Sequence, residues 1–263
     1  MNRNQSSPEN KSVYFDMQAD FGITKHMGGR KATRELIELC HIQKSQRILE
    51  VGCGIGATAC YLAEDAGCQV IGVDLSAEMV ARSKERARRH GLEARVEFRV
   101  ADAQNLPFEE GVFDAVIDES VTAFVPEKPK ALSEYRRVAK PGGYIGLNEV
   151  TWTKTPDPDM AKYMSLIMAN ADFLPPKGWK ELLEGCGLRE IEVRNYPFNA
   201  RSQYLEELRQ LDFGEYLRAW RRFFTQSFTN PVYRQFVKEL ASAPRNIFKF
   251  MSSIGYGLYV GKK

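Results

Sequence analysis

Residues 48–56 read Ile-Leu-Glu-Val-Gly-Cys-Gly-Ile-Gly, an apolar run that delivers the backbone into a glycine-rich turn. The run has the character of a buried strand, and Ala57-Thr58-Ala59-Cys60-Tyr61-Leu62-Ala63 beyond the turn has that of a helix start. Gly52, Gly54 and Gly56 are expected to remove every Cβ where a ligand would approach the main chain. The following helix aims its free N–H groups at the same spot. A strand, glycine loop and helix in this order predict a layered α/β chain with a cofactor on the loop.

The glycines alone leave the cofactor open. Gly52-x-Gly54-x-x-Ala57, with Asp74 further on, satisfies a loose dinucleotide fingerprint. Glu50, two residues before the first glycine, and the third glycine at 56 favour another ligand. A carboxylate beside the loop would repel a pyrophosphate but suits the ammonium and sulfonium of S-adenosylmethionine.

Further strands follow in the same style. Cys68–Asp74 is an apolar strand ending in an acid, ahead of a helix over Ala77–Arg89. An Asp at a strand's carboxyl end can accept from both ribose hydroxyls. Val96–Val100 leads into Ala101-Asp102-Ala103, where Asp102 is placed to accept from an exocyclic adenine amine. Phe113–Asp118, a helix containing Glu134–Val138, and a Lys140-Pro141-Gly142-Gly143 turn into Tyr144–Val150 complete the alternation. Strands separated by helices imply a doubly wound, parallel sheet with both faces covered.

The stretches "LEVGCGIG", "VIGVDLS", "ADAQNLPF", "FDAVIDE" and "VAKPGG" make the chain similar to the class I S-adenosylmethionine-dependent methyltransferases, in particular the type 11-like group acting on small molecules. The resemblance is close over about residues 30–150 and weaker to about 197. It implies a seven-stranded mixed sheet, Rossmann-like, with the last strand antiparallel. It implies S-adenosylmethionine as cofactor, S-adenosylhomocysteine as product and a small-molecule methyl acceptor as partner. The cofactor site it implies takes in Glu50, Gly52, Cys53, Gly54, Gly56, Asp74, Leu75, Met79, Asp102, Ala103 and Glu119. In many relatives an amino-terminal Tyr touches the cofactor's methionine end, which makes Tyr14 a further candidate. A sensor or scaffold that holds the cofactor without turnover, and a nicotinamide-dependent oxidoreductase, are the competing readings.

Composition narrows the rest. With 263 residues and 43% hydrophobic content the chain can bury one sizeable core plus a cap. A net charge of +3 is too mild to argue for nucleic acid. Five cysteines without a Cys-x-x-Cys pair suit a reducing cytoplasm, and three scattered histidines predict no metal site. No apolar run reaches membrane-spanning length, so integral membrane association is not expected. These features predict a cytoplasmic protein and leave room for a homodimer.

Five segments are expected: a disordered tail (1–12), a lead-in and helix (13–45, with the helix over Lys31–Ile42), the cofactor-binding core (46–197), a helical insertion (198–253) and a final core strand (254–263). In the family resembled, a short hairpin joins the last two strands. Here the insertion is long enough to need structure of its own, and reads as a helical lid. It holds nine basic residues against five acidic ones, which fits either a solvated face or a surface for an anionic substrate or lipid headgroup.

Methyl transfer from a sulfonium is an in-line displacement, so alignment and exclusion of water dominate, and a base is needed only if the acceptor must lose a proton. Glu119, at the carboxyl end of the fourth strand, can hold an acceptor amine or act as a base; otherwise it accepts loop N–H groups. Asn148-Glu149, expected to end the fifth strand, invites the same reading, with a surface ion pair as the alternative for Glu149. His26 is a candidate base or substrate donor, or else orders the lead-in. The aromatics Tyr14, Phe15, Phe21, Phe124, Trp152, Tyr163 and Trp179 are candidates for the mouth of the site or for core packing.

Overall fold

The structure is a computed structural model, which describes residues 13–15, 26–198, 213–243 and 252–263. The tail 1–12, Phe21 and the insertion's residues 199–212 and 244–251 lie outside the described residues.

Alternation of apolar runs with amphipathic helices produces seven strands in the order 3-2-1-4-5-7-6. They are β1 (Arg47–Val51), β2 (Gln69–Asp74), β3 (Val96–Val100), β4 (Phe113–Glu119), β5 (Ala139–Trp152), β6 (Arg189–Pro197) and β7 (Ile254–Lys262). The first five run parallel. β7 lies antiparallel between β5 and β6. The order reverses between β1 and β4, so the carboxyl ends of those two strands open the crevice where such sheets take ligands.

One face is covered by α1 (Gly29–Leu39), α2 (Ala57–Asp65) and α3 (Ala77–Arg89), whose Leu36, Leu62 and Val80 pack with Ile48, Phe98 and Leu258. The other is covered by α4 (Lys128–Val138), α5 (Pro158–Ile167) and α6 (Pro176–Gly185), which bring Leu132, Tyr135 and Trp179 onto Val116, Ile145 and Tyr259. Each large apolar side chain so buried is worth about 1.5–3 kcal/mol. Caps set the helix starts: Ser76 accepts from the Met79 N–H, and Asp157 from those of Asp159 and Met160.

One boundary and one burial differ from the sequence reading. β5 continues to Trp152 because β7 pairs along it up to Trp152–Ile254. Asn148 and Glu149 therefore sit inside the strand, not at its end. Trp179 is fully buried, with its indole N–H donating to the Val150 carbonyl, so it belongs to the core and not to the mouth.

Between β6 and β7, α7 (Phe213–Thr229) and α8 (Pro231–Ala241) form a helical pair. Tyr233 and Phe236 of α8 pack on Val13, while Tyr14 (tilted) and Phe15 (edge-on) pack on Phe124 just beyond β4, with ring centroids 5.7 and 5.5 Å away. Tyr163 of α5 also donates to the Leu240 carbonyl. The pair and the amino-terminal segment thus sit over the sheet's carboxyl edge.

Candidate functional site

The loop after β1 is fastened to β2. The Cys53 N–H donates to the Val73 carbonyl at 2.9 Å, and the Gly54 N–H to Asp74 Oδ2 at 2.9 Å. Asp74 Oδ1 takes the Ser76 N–H at 2.8 Å. Burial raises the Asp74 carboxyl, and the N–H groups of Ser76, Gly54 and Leu75 oppose that rise.

The three loop glycines share a left-handed backbone but differ in what surrounds them. A Cβ on Gly52 would stand 2.1 Å from a Val121 methyl, and one on Gly56 would stand 2.7 Å from Phe98 and Ser83. One on Gly54 would meet nothing within 4 Å among the described residues. The expectation that all three clear space for a ligand is corrected: Gly52 and Gly56 let protein pack closely, and only Gly54 faces open room.

Glu50 lies buried under this loop, and its Oε2 has no hydrogen-bond partner among the described residues. Burial, with the neighbouring Glu119 and Asp74 charges adding to it, pushes its carboxyl well above the usual range against one bond from Ala59. An orphaned buried carboxylate oxygen is costly, and a ligand cation would relieve it.

Beyond Asp74 the edge is apolar. Leu75 is 75% exposed and Val100, which pairs with Asp74 across the strands, is 52% exposed. Ala103 is buried, Asp102 is exposed and accepts from the Gln104 N–H, and Met79 stands in the first turn of α3. An apolar ledge between two acids matches a purine with a ribose on one side and an amine on the other. The acids, the open Gly54 and this ledge fit S-adenosylmethionine, whose ammonium would draw Glu50 into its charged form, a gain that a pyrophosphate could not make.

Glu119, at the tip of β4, has a side chain only 4% exposed, and both of its oxygens are occupied. Oε2 accepts from Thr58 at 2.7 Å, and Oε1 accepts from Thr33 at 3.0 Å and Asn148 at 3.4 Å. His26 Nε2 stands 3.6 Å from Glu119 Oε1 and 3.1 Å from Thr33 Oγ1. The two residues singled out for chemistry are thus brought together, in a cluster with Asn148, which the sequence also marked, and with Thr33 and Thr58, which it did not. Asn148 also donates to the Met27 carbonyl, fixing the segment that carries His26.

A second acidic pair lies beneath. Asp118 accepts from the N–H groups of Val121 and Thr122 and from the hydroxyls of Thr122 and Tyr135. Glu149 is fully buried, which excludes a surface ion pair, and accepts from the Val121 and Ala123 N–H groups. Burial pushes Asp118 up to about 6, and burial plus the Asp118 charge raise Glu149 well above the usual range. Of the two, Glu149 is raised the more, because the Asp118 charge adds to its burial. Together they anchor the turn whose Val121 seats Gly52.

Among the described residues no cluster could hold a metal ion, and no helix is long and apolar enough to cross a membrane.

Residues 49–147 match the family description of a methyltransferase domain. Phosphoethanolamine N-methyltransferase 3 of Arabidopsis thaliana is 30% identical over 62% of this chain and 33% of its own length. The chain spans about a third to two fifths of the curated phosphoethanolamine N-methyltransferases it matches. Among solved structures, the [4+2]-cyclase SpnF aligns with a TM-score of 0.73 at 21% identity, covering 98% of this chain and 97% of the cyclase. Phosphoethanolamine N-methyltransferase 2 of Haemonchus contortus, in complex with S-adenosyl-L-methionine, aligns with a TM-score of 0.70 at 24% identity, covering 96% of this chain and 57% of that one. Both likenesses establish the fold.

Proposed function

We propose that this chain, which belongs to the S-adenosylmethionine-dependent methyltransferase family, moves a methyl group from that cofactor to a small-molecule acceptor held beneath the α7–α8 pair. The observation that carries this reading is a Glu50 oxygen without a partner, beside a Gly54 with open room, among the described residues. Glu50 would take the cofactor's ammonium, Asp74 its ribose hydroxyls, and Leu75 with Asp102 its adenine face and amine. When bound, the cofactor supplies an electrophilic methyl on a sulfonium.

The chain's own part is alignment and proton handling. Glu119, held by Thr33, Thr58 and Asn148, ties α1, α2 and β5 together at the reversal of strand order. That fixes the distance between the cofactor loop and the acceptor side, where small displacements cost rate. His26, beside Glu119, is the group placed to receive a proton from an acceptor amine, hydroxyl or thiol. Tyr14 and Phe124, under α8, close the mouth with apolar rings, which excludes water and strengthens the electrostatics within. A cytoplasmic enzyme, either monomeric or paired with a second copy, is consistent with this reading.

The test is transfer of labelled methyl from S-adenosylmethionine into pools of amine, hydroxyl and thiol acceptors, with phosphoethanolamine included because the Arabidopsis relative bears its name. Label should move into one pool, and His26→Ala should slow turnover by about a hundredfold or more while leaving cofactor affinity within about threefold. The likeness to a cyclase shows that this fold carries more than one chemistry, and it favours one alternative, cofactor binding without transfer. Tight S-adenosylhomocysteine binding with no labelled product in any pool would select that alternative.

A further inference from the structure

We infer that α7 docks the protein onto an anionic lipid surface, with an aromatic stripe entering the headgroup boundary and arginines facing the phosphates. The helix is amphipathic in an unusual sense, because it shows apolar residues on two sides. Its inner side is accounted for: Ala219 is buried, and Phe223 packs on Tyr233 of α8. Leu217, Trp220, Phe224 and Phe228 recur at helical spacing on the outer side. Leu217 is 54%, Phe224 55% and Phe228 79% exposed, and Trp220 stacks on Phe224 at 5.4 Å. The stripe runs roughly 16 Å at the rise of an α-helix.

Charge decides what kind of surface this stripe fits. Arg218, Arg221 and Arg222 are exposed and border the stripe along one side. That border faces a groove of about 770 Å³ between α7 and α3, across which stand Arg82, Arg86 and Arg89. Among the described residues lining the groove, the acids pair on their own helix, Glu78 with Arg82 and Glu85 with Arg88. The surface is therefore aromatic along its crest and basic along its flank. Tryptophan and phenylalanine with arginine beside them are the composition of an interfacial helix, which lies in the headgroup plane and is drawn by anionic lipid. A two-fold contact with a second copy would bring the same arginine border against itself, which like charge opposes. This placement concerns a peripheral contact and is independent of the reading of the cofactor site.

The experiment is sedimentation of the full chain with vesicles of phosphatidylcholine alone and of phosphatidylcholine with phosphatidylserine, at low and high salt. The chain should partition onto the anionic vesicles, and salt should release it, since the basic contribution falls off within a Debye length. Replacing Arg218, Arg221 and Arg222 together by Gln should lower anionic partition by about a hundredfold, at roughly fivefold per basic residue. The double variant Phe224→Ser/Phe228→Ser should lower it by about tenfold or more. All five positions are exposed, so circular dichroism and S-adenosylhomocysteine binding should be unchanged in both variants. Partition that is absent, or equal on both vesicle types and indifferent to salt, would overturn the proposal. So would a dimer by light scattering that the serine variant dissociates while neither vesicle type is bound, because the stripe would then belong to a second copy.

Discussion

The β1–β3 half of the sheet, where we place the cofactor, and the β4–β5 half with the α7–α8 pair, where we place the acceptor, are built by different means. On the first, the acids at the strand ends are held by main chain within 20 residues of them: Asp74 takes N–H groups from Gly54 and Ser76, and Asp102 from Gln104. On the second, Glu119 is held by Thr33, 86 residues away, and by Thr58, 61 residues away, and Glu149 by the turn at Val121. One site is assembled from a local loop and the other from the whole fold. The two should therefore fail separately.

The sharpest way to break that separation is to replace residues 198–253 by a short glycine-containing turn. Turnover should fall a thousandfold or more, a part of the roughly 7–11 kcal/mol that positioning can supply. S-adenosylhomocysteine affinity should stay within about tenfold, or 1.4 kcal/mol. Circular dichroism must accompany the assay, because Tyr233 and Phe236 also bury Val13. A folded truncation that turns over at the parental rate would show that the insertion does not cover the acceptor.

Asp74→Ala tests the other side. Leaving ribose hydroxyls unpaired should cost about 2–4 kcal/mol of cofactor affinity by calorimetry. An unchanged affinity in a folded variant would remove Asp74 from the site.

The glycines sharpen the comparison within one loop. Gly56→Ala should lower folding stability by about 1–3 kcal/mol, since its methyl meets Phe98 and Ser83. Gly54→Ala should cost about 1–2 kcal/mol from its left-handed backbone alone, yet lose most of its cofactor binding. Thermal melts with and without S-adenosylhomocysteine separate the two effects, and equal losses of binding at both positions would contradict the geometry.

The smallest effect is one of pH. Burial holds the Glu50 carboxyl well above its usual range, so the free protein keeps a proton there at pH values where an exposed carboxylate has lost it. Binding an ammonium favours the ionised form and releases that proton. Below the raised Glu50 value, affinity should climb with pH by up to about tenfold per pH unit. Glu50→Gln should bind more weakly and lose that dependence, as titrations across a pH series would show.

The sheet and the cofactor side were legible in the sequence because their signals are local. An apolar run, a glycine turn and an acid at a strand end lie within a few residues of one another, as at 48–56 and 68–76. The acceptor side was half legible. Glu119 and His26 stood out as residues, but their meeting through Thr33 depends on α1 packing against β4 and β5, which no local pattern reports. Glu149 was readable as a surface residue until β7 extended β5 past it. Gly52 and Gly56 looked like Gly54 because the side chains that crowd them come from elsewhere in the chain, Val121 from the turn after β4 and Phe98 from β3.

The central claim is that the loop after β1 holds a cationic S-adenosyl cofactor and not a pyrophosphate. Parallel melts of the full chain with saturating S-adenosylhomocysteine, NAD and NADP test it most directly, since a ligand at about a hundred times its dissociation constant stabilises by about 2.7 kcal/mol. The account predicts a clear rise in melting temperature with S-adenosylhomocysteine and none with either nicotinamide cofactor. A rise with NAD or NADP alone would contradict it.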